Sequence, residues 1–401
     1  MLTSLGFILL AGPAMAAICG RIGLPRIIGM LITGILLGPY ALNLLDPSIL
    51  SVSADLRQMA LIIILLKAGL SLDLADLKKV GRPALMMACV PASFEILAFF
   101  LFAPRIFGIA PVEAAVMGAV LGAVSPEVVI PRMVQLMESG YGTKQGIPQL
   151  IMAGASCDDI FVIVLFSTFV GMAQGGRANP ADFAAIPVSI VLGALLGAAV
   201  GCAMSLVFER AYRRGTCVRN SMKVILILGL SFLLMAAEDW LEGMVPVSGL
   251  LAVVSMACAI RIKSAPTVTG RLSEKFGKLW LAAEVLLFVL VGAAVDIRYT
   301  LAAGGAAVLM IGLALLFRSA GVALCLAGTK LTAKERLFCV IAYLPKATVQ
   351  AAIGSVPLAM GLPCGRLVLS VAVLAILITA PLGALGMDLS YEKLLAEEEQ
   401  E

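Results

Sequence analysis

Apolar stretches long enough to cross a lipid bilayer follow one another along almost the whole chain. A transmembrane helix needs about 20 mostly apolar residues, and thirteen stretches reach or approach that length. Hydrophobic residues make up 61% of the sequence and charged residues 13%, whereas soluble domains have about 45–50% and about 25%. The sequence therefore predicts an all-α polytopic membrane protein with thirteen transmembrane helices. The predicted spans are residues 2–20, 25–43, 56–72, 83–103, 112–131, 147–173, 184–207, 222–238, 245–260, 279–295, 301–327, 336–360 and 367–387.

Basic residues are distributed unevenly between the loops. Of the 29 Lys and Arg residues, 21 fall in the loops after odd-numbered spans or in the C-terminal tail, and five fall in the loops after even-numbered spans. Because cytoplasmic loops carry the excess of positive charge, we expect the N-terminus outside and the C-terminus inside. A cleaved signal peptide is the alternative for the first span, but no basic residue precedes it and Arg21 and Arg26 follow it, which favours a span.

Several function classes are disfavoured by residues that the sequence lacks. It has no histidine, which excludes histidine-dependent metalloprotease and Ser-His-Asp chemistry and histidine-ligated haem. Its 9 cysteines are scattered without a CxxC pair, so neither a disulfide framework nor a zinc site is predicted. A net charge of +4 is too small to indicate nucleic acid binding. We expect no cofactor and do not expect an enzyme.

Charged residues inside the predicted spans are few. Lys67 and Glu284 lie near a predicted cytoplasmic end, where their side chains can reach water. A charge at the centre of a transmembrane helix costs about 2.5–3.5 kcal/mol, so the others need partners or a function. These six are Glu95, Glu127, Asp158, Asp159, Arg318 and Lys346.

Three landmarks recur in the same order in the two halves of the chain. Each half has an aspartate at the end of a span, then a charged residue 22 positions later, then a proline inside a span. They are Asp73, Glu95 and Pro126 in the first half and Asp296, Arg318 and Pro345 in the second. Because corresponding spans run in opposite directions, the pattern predicts an inverted-topology repeat of spans 1–6 and 8–13. We expect Glu95 and Arg318 to form an ion pair.

The two prolines of this repeat lie in SPEVVIP and LPKATVQ, each beside a charged residue. Proline removes a backbone donor and interrupts a helix, and a broken helix is tolerated in a membrane only where it is buried or lines a cavity. We therefore expect spans 5 and 12 to be crossed broken helices whose ends meet at a binding site. Glu127 and Lys346 are expected to balance charge across the crossing. Two ordinary proline kinks are the alternative.

Asp158 and Asp159 are adjacent on the sixth predicted span. Successive helix residues point about 100° apart, so we expect one carboxylate to face a water-filled cavity and the other to meet Arg318 or Lys346. One carboxylate cannot hold a proton and coordinate a metal ion well at the same time. Competition for it, in a site exposed alternately to each side, would exchange the two ions. A structural salt-bridge cluster is the alternative, although it leaves one acid unexplained.

Three stretches of the sequence resemble a known protein family. GAVSPEVVIPRM (122–133), GYGTKQGIPQLIMAGASCDDI (140–160) and AYLPKATVQAAIG (342–354) are similar to the monovalent cation/proton antiporter superfamily. The resemblance is to the branch with two adjacent aspartates in the sixth of thirteen spans and, within it, to bacterial relatives of the NHA-type sodium/proton exchangers. It covers essentially the whole chain.

The resemblance implies an antiporter of the cell (inner) membrane that exchanges Na⁺ or Li⁺ for H⁺, acts in pH homeostasis and forms a homodimer. It implies that Asp159 carries the ion or proton, that Asp158 is its partner and meets a basic residue, and that Ser125 supplies a hydroxyl near the ion. It also implies separate domains. These are a dimerisation domain (1–80 and 211–298), a core domain (81–174 and 299–388), a linker span (175–210) and an acidic cytoplasmic tail (389–401).

Two residues depart from the family pattern. Arg318 stands where many two-aspartate bacterial members have a lysine, and arginine does not deprotonate in proteins. If Arg318 is tied to Glu95, Lys346 is left as the partner of the aspartates, and a stoichiometry of two protons per sodium no longer follows. Glu127 stands where a small apolar residue is expected.

Three other functions stay open at this point. K⁺/H⁺ antiport is one, because the sequence does not fix the size of the cavity. A sodium-coupled symporter of an organic anion on a similar fold is the second. A membrane enzyme is the third, although no nucleophile motif supports it.

Overall fold

The computed structural model describes residues 1–71, 82–174, 180–214, 218–241, 245 and 247–397. Over these residues the regular structure is helical, apart from one isolated antiparallel bridge between Tyr141 and Glu397. The first eight helices are α1 (Leu2–Arg21), α2 (Arg26–Leu37), α3 (Pro47–Ser51), α4 (Ser53–Ser71), α5 (Arg82–Phe107), α6 (Pro111–Leu121), α7 (Pro126–Glu138) and α8 (Ile147–Gln174).

The second part of the chain contains nine further helices. They are α9 (Pro180–Arg213), α10 (Asn220–Leu241), α11 (Gly249–Lys263), α12 (Pro266–Ala293), α13 (Ile297–Cys325), α14 (Ala333–Ala342), α15 (Thr348–Gly354), α16 (Val356–Ala359) and α17 (Gly365–Leu394). Parts of the sequence-based scheme lie outside the described residues, namely Asp73, the domain boundary at 80 and 81, the start of the linker span at 175 and the end of the tail at 398–401.

Helices long and apolar enough to cross a membrane dominate the described chain. Nine such segments fall on α1, α5, α6 with α7, α8, α9, α10, α12, α13 and α17. The other four predicted spans fall on α2, α4, α11 and the group α14–α16. Large apolar side chains such as Leu10, Leu195 and Ile225 are exposed on α1, α9 and α10, as expected for surfaces that face lipid. The chain is therefore an all-helical polytopic membrane protein, and the count of thirteen spans stays a prediction.

The helices form two compact units. The first comprises Met1–Ala54 and the described parts of Asp73–Val162 and Val285–Glu401. Within it, α1 packs on α2, α5 packs along α13, and α17 contacts α13, α14 and α15. Each residue of α6 from Ala114 to Leu121 is buried, and so is every residue of α15. The interrupted helices therefore form the centre of this unit.

The second unit contains Asp55–Leu72 and Ile163–Glu284, again in their described parts. Its main contact is between α9 and α11, where Gly193, Gly197 and Gly201 face the backbone of α11. A Cβ atom at any of the three would overlap a carbonyl oxygen of that helix or of its N-cap, Ser248. Small residues at every fourth position let two membrane helices approach closely, so these glycines set the spacing of α9 and α11.

Two helices are interrupted in the first unit. α6 ends at Leu121 and α7 begins at Pro126, and α14 ends at Ala342 and α15 begins at Thr348. Proline at the first position of a helix costs little because its missing N–H would have no partner there. Proline alone does not cause a break, since Pro91, Pro131 and Pro381 all lie inside continuous helices.

The end of the described chain is tied to the loop between α7 and α8. The Gly142 N–H donates to the Ala396 carbonyl at 2.9 Å, and the Tyr141 hydroxyl donates to Glu397 Oε2 at 3.2 Å. Leu395 is buried. Arg132 and Asp388 add a two-pronged ion pair, with N–O distances of 2.8 and 3.0 Å, between α7 and α17. Residues 395–397 (hereafter the strap) therefore lie across this loop and are hydrogen-bonded to it.

Candidate ion-binding site

The two helix interruptions lie against each other. The Ser125 N–H donates to the Pro345 carbonyl at 2.9 Å, and Gln350 Nε2 donates to the Ala123 carbonyl at 2.8 Å. Backbone groups freed by a break need partners wherever water is absent. Here the freed groups of each interruption are satisfied partly by the other interruption and partly by side chains that reach in from neighbouring helices.

Arg318 on α13 binds the C-terminal ends of both half-helices. Its Nη1 donates to the carbonyl of Gly122, the C-cap of α6, at 2.5 Å, and its Nε donates to the carbonyl of Tyr343, the C-cap of α14, at 2.6 Å. Helix C-termini carry partial negative charge and favour cations. One guanidinium with 0% exposure therefore compensates two helix ends.

Four buried charges form a continuous chain of ion pairs. Lys346 Nζ lies 2.5 Å from Glu95 Oε2, Arg318 Nη1 lies 2.8 Å from the same oxygen, and Arg318 Nη2 lies 3.1 Å from Asp158 Oδ2. None of the four side chains is more than 2% exposed. Two positive and two negative groups balance, so the chain Lys346–Glu95–Arg318–Asp158 (hereafter the ion-pair network) has no formal net charge.

The network confirms one sequence-based expectation and corrects another. The expected pair of Glu95 and Arg318 is present. The expectation that Lys346 becomes the partner of the aspartates once Arg318 binds Glu95 is wrong. Arg318 uses separate nitrogens for Glu95 and Asp158, and Lys346 donates instead to Glu95 and to the Ala123 carbonyl, the latter at 3.2 Å.

Asp158 on α8 is held at the first interruption. Its Oδ2 accepts from the Val124 N–H at 2.7 Å as well as from Arg318. Its Oδ1 is buried without a hydrogen-bond partner among the described residues. Asp158 is thus anchored by one carboxylate oxygen, which leaves the other for a ligand.

Asp159 follows on α8 and stands apart from the network. It is 7% exposed, and its buried Oδ1 has no hydrogen-bond partner within the described part of the chain. It also forms no ion pair with the residues that the structure describes. A slightly exposed carboxylate that has no ion-pair partner among the described residues is able to take up a proton or a cation.

Ser125 occupies the N-cap of α7 but does not cap it. A serine at this position normally accepts a hydrogen bond from the first turn. Here Oγ is fully buried and unpartnered among the described residues, as are Thr348 Oγ1 at the start of α15 and the Tyr343 hydroxyl. Carboxylate and hydroxyl oxygens are the ligands that small hard cations prefer, so the groups around the interruptions fit such an ion.

Glu127 lies in the first turn of α7 and is half-buried. It was expected to balance Lys346 across the crossing, but the hydrogen bonds of Lys346 go to Glu95 and Ala123. The negative charge of Glu127 acts on Asp159. Glu127 therefore belongs to the surroundings of Asp159, outside the ion-pair network.

Three residues at the site were not predicted from the sequence, namely Gln350, Thr379 and Tyr343. Gln350 Oε1 accepts from the Ala347 N–H at 2.8 Å, and Thr379 Oγ1 accepts from the Lys346 N–H at 2.9 Å. Both side chains are buried. Each is an uncharged polar residue inside an apolar span, which is a weaker sequence signal for a site than a charge in the same place.

Comparison with known proteins gives consistent results. The model of a family described as sodium/hydrogen exchanger, transmembrane, matches residues 6–387. Sodium/hydrogen exchanger 9B2 of Homo sapiens is 35% identical over 396 residues, which covers 94% of this chain and 71% of the human protein. Sodium/hydrogen exchanger 9B1 of Homo sapiens is 33% identical over 362 residues, which covers 86% and 67%.

A similar fold occurs among solved structures. The structure of the sodium proton antiporter MjNhaP1 from Methanocaldococcus jannaschii at pH 8 aligns with a TM-score of 0.83 and covers 99% of both chains. The sequence identity is 20%, so this likeness concerns the fold alone.

Proposed function

Since the chain belongs to the sodium/hydrogen exchanger family, a family of cation/proton antiporters, we propose that it exchanges Na⁺ or Li⁺ for H⁺ across the membrane by alternating access. In this proposal one proton and one cation compete for Asp159. Asp158 and Ser125 contribute further oxygen ligands to the bound cation. The ions are the substrates, and the chemistry consists of binding and release.

One observation carries the proposal. Of the three acids in the ion-pair network and directly beside it, Glu95 and Asp158 are neutralised by Arg318 and Lys346, whereas Asp159 has no such partner among the described residues. A purely structural cluster needs no additional acid, since an uncompensated charge in a membrane is expensive. The surplus carboxylate is explained if its counter-charge arrives and leaves with each transport cycle.

The ion-pair network supports the cycle by holding the surroundings of Asp159 fixed. Arg318 ties α5, α8 and both interruptions together, so these parts can move as a body. Bound H⁺ or cation neutralises Asp159 and lowers the cost of moving it through the apolar interior. An empty, charged Asp159 opposes that movement, which couples the flow of one ion to that of the other.

The names of the similar proteins favour sodium over potassium as the transported cation. The relatives at 33–35% identity are named as sodium/hydrogen exchangers. Transport of Li⁺ is proposed with Na⁺ because the candidate ligands are hard oxygen atoms, which suit both ions.

The family also supports a wider proposal about the assembly. We place thirteen spans in the cell (inner) membrane with the N-terminus outside and the C-terminus inside, and with α6–α7 and α14–α16 as crossed broken spans. The inverted-repeat pattern and the bias of basic loops support this arrangement. We further propose a homodimer in which 1–80 and 211–298 form the dimer contact and 81–174 and 299–388 form the moving core.

The test is exchange by purified protein in liposomes with an imposed pH gradient, followed by a pH-sensitive dye. Addition of Na⁺ or Li⁺ should collapse the gradient, and addition of K⁺ should not. Asp159→Asn should reduce the signal to that of protein-free liposomes. Asp55→Asn, at an exposed position in the first turn of α4, is the matched control and should exchange like the wild type.

Retained exchange by folded Asp159→Asn would overturn the assignment of the carrier residue. A collapse driven by K⁺ but not by Na⁺ would replace the proposed substrate. Monodisperse elution of each variant from a sizing column shows that a loss of exchange is not a loss of folding.

A further inference from the structure

Glu127 lies in the first turn of the half-helix that contacts the site. It is the second residue of α7, whose N-cap is Ser125, and the preceding Val124 N–H holds Asp158 at 2.7 Å. One turn of backbone therefore joins Glu127 to the carboxylate pair on α8. The Ser125 hydroxyl in this turn is buried and does not cap the helix, which points to a ligand at this place.

The acids around the first interruption differ in how far they are exposed. Asp158 is 0% exposed, Asp159 is 7% exposed, and Glu127 is half-buried. Asp158 is paired with Arg318, and Asp159 lies in the field of two negative charges, that of Asp158 and that of Glu127. Of Asp159 and Glu127, the more exposed acid is Glu127, so a cation that enters from outside the protein meets its field before it reaches Asp159.

We propose that Glu127 is a second carboxylate on the route of the transported cation and that it sets the apparent affinity for Na⁺ or Li⁺. This inference rests on the proposed function. Clefts lined by one sign of charge raise the local concentration of the opposite ion, and a second carboxylate stabilises a bound cation together with Asp159. Once the cation has bound, the maximal rate depends on the movement of the core, which does not require the charge of Glu127.

If Glu127 has only a structural role, a different experimental result is expected. An acid in the first turn of a helix stabilises it by about 0.3–1 kcal/mol through the helix dipole. If Glu127 did only that, its neutralisation would lower the thermal stability, and the cation concentration at half-maximal exchange would stay the same. The dependence of rate on cation concentration therefore separates the two roles.

The experiment compares four variants with the wild type in liposomes at a series of Na⁺ concentrations. Glu127→Gln and Glu127→Ala remove the charge, and the alanine variant has the small apolar residue expected at this position in the family. Glu127→Asp keeps the charge. Glu138→Gln makes the same change at the exposed last residue of α7 and is the matched control.

We expect both uncharged variants to raise the KM for Na⁺ by about three- to tenfold, with maximal rates within about twofold of the wild type. Glu127→Asp and Glu138→Gln should have a KM close to the wild-type value. Choline chloride, added as a salt that is not transported, should reduce the difference in KM for Na⁺ between Glu127→Gln and the wild type, because salt screens exposed charges.

An unchanged KM in both uncharged variants would overturn the assignment of Glu127 while exchange by the wild type leaves the proposed function standing. An equal rise in Glu138→Gln would also overturn it, since the effect would then be one of surface charge. Absence of cation-dependent exchange in the wild type would overturn the proposed function and, with it, this inference.

Discussion

Arg318 is a single residue on which several parts of the site depend. Its guanidinium binds two backbone carbonyls and two carboxylates, and it lies 5.5 Å from the centroid of the Tyr343 ring. A planar fork with five N–H donors can serve acceptors on several sides. A lysine ammonium has three donors at one point, so it cannot reach both helix ends and both acids.

We predict that Arg318→Lys destabilises the protein by about 3–5 kcal/mol, because buried acceptors and a carboxylate lose their partner. The measurement is the apparent unfolding temperature of purified protein in detergent. Arg298→Lys, at an exposed position in the first turn of the same helix, should unfold like the wild type. Equal unfolding temperatures for all three proteins would contradict the central role of Arg318.

The sequence predicted which charged residues lie together at the interruptions better than it predicted their contacts. The repeat register led to the pair of Glu95 and Arg318, because matched positions of two packed repeats lie close together. The register could not reveal that Arg318 binds Asp158 with another nitrogen, which depends on how α8 sits beside α13. Gln350 and Thr379 were missed because their polar groups have no net charge.

At the scale of helices, the contact between α9 and α11 depends on the absence of side chains. Gly193, Gly197 and Gly201 repeat at every fourth position and lie against the backbone of α11. Where lipid takes the place of water, apolar side chains gain little by meeting each other, and close backbone approach supplies the packing. The same repeat therefore explains why these two helices associate.

Gly197→Ala should destabilise this contact by about 1–3 kcal/mol, the usual effect of overpacking. Its Cβ would overlap the carbonyl oxygen of Ala252, so α9 and α11 would have to separate. Gly229→Ala on α10 is the matched control, because nothing lies within 4 Å of its Cβ. The control should unfold at or slightly above the wild-type temperature, since alanine favours a helix by about 1 kcal/mol over glycine. Unfolding of Gly197→Ala at the wild-type temperature would contradict this account of the contact.

The sequence predicted the lengths of some transmembrane spans more accurately than those of others. Nine predicted spans fall on long apolar helices, because hydropathy measures how many apolar residues follow one another. The predicted span 25–43 holds a helix of only 12 residues, Arg26–Leu37, which ends before Gly38 and Pro39. Hydropathy counts the apolar residues after that end as well, so the pattern could not give the true length of the helix.

For the molecule as a whole, the balance of charges bears on the stoichiometry of transport. The ion-pair network has no formal net charge, and Arg318 cannot release a proton. If only Asp159 changes its occupant, one H⁺ replaces one Na⁺ and the cycle moves no net charge.

We therefore predict exchange that does not respond to membrane voltage. The measurement is the initial rate of Na⁺/H⁺ exchange in liposomes at several potassium diffusion potentials set with valinomycin. Equal rates at inside-negative, zero and inside-positive voltage are expected. A rate that rises steadily with voltage would mean that a second proton, released from the ion-pair network, is transported in each cycle.

The strap formed by Leu395, Ala396 and Glu397 couples the last described residues to the turn that precedes α8. A bulky reporter protein fused behind it would pull on that turn and report on a disturbed transporter. At the amino end, an exposed pair 3.9 Å long joins the Met1 amino group to Asp46, and the Asp46 N–H donates to Ser4 Oγ at 2.9 Å. A label for imaging or immobilisation placed behind Glu397 should therefore disturb exchange, with exchange by the unlabelled protein as the reference.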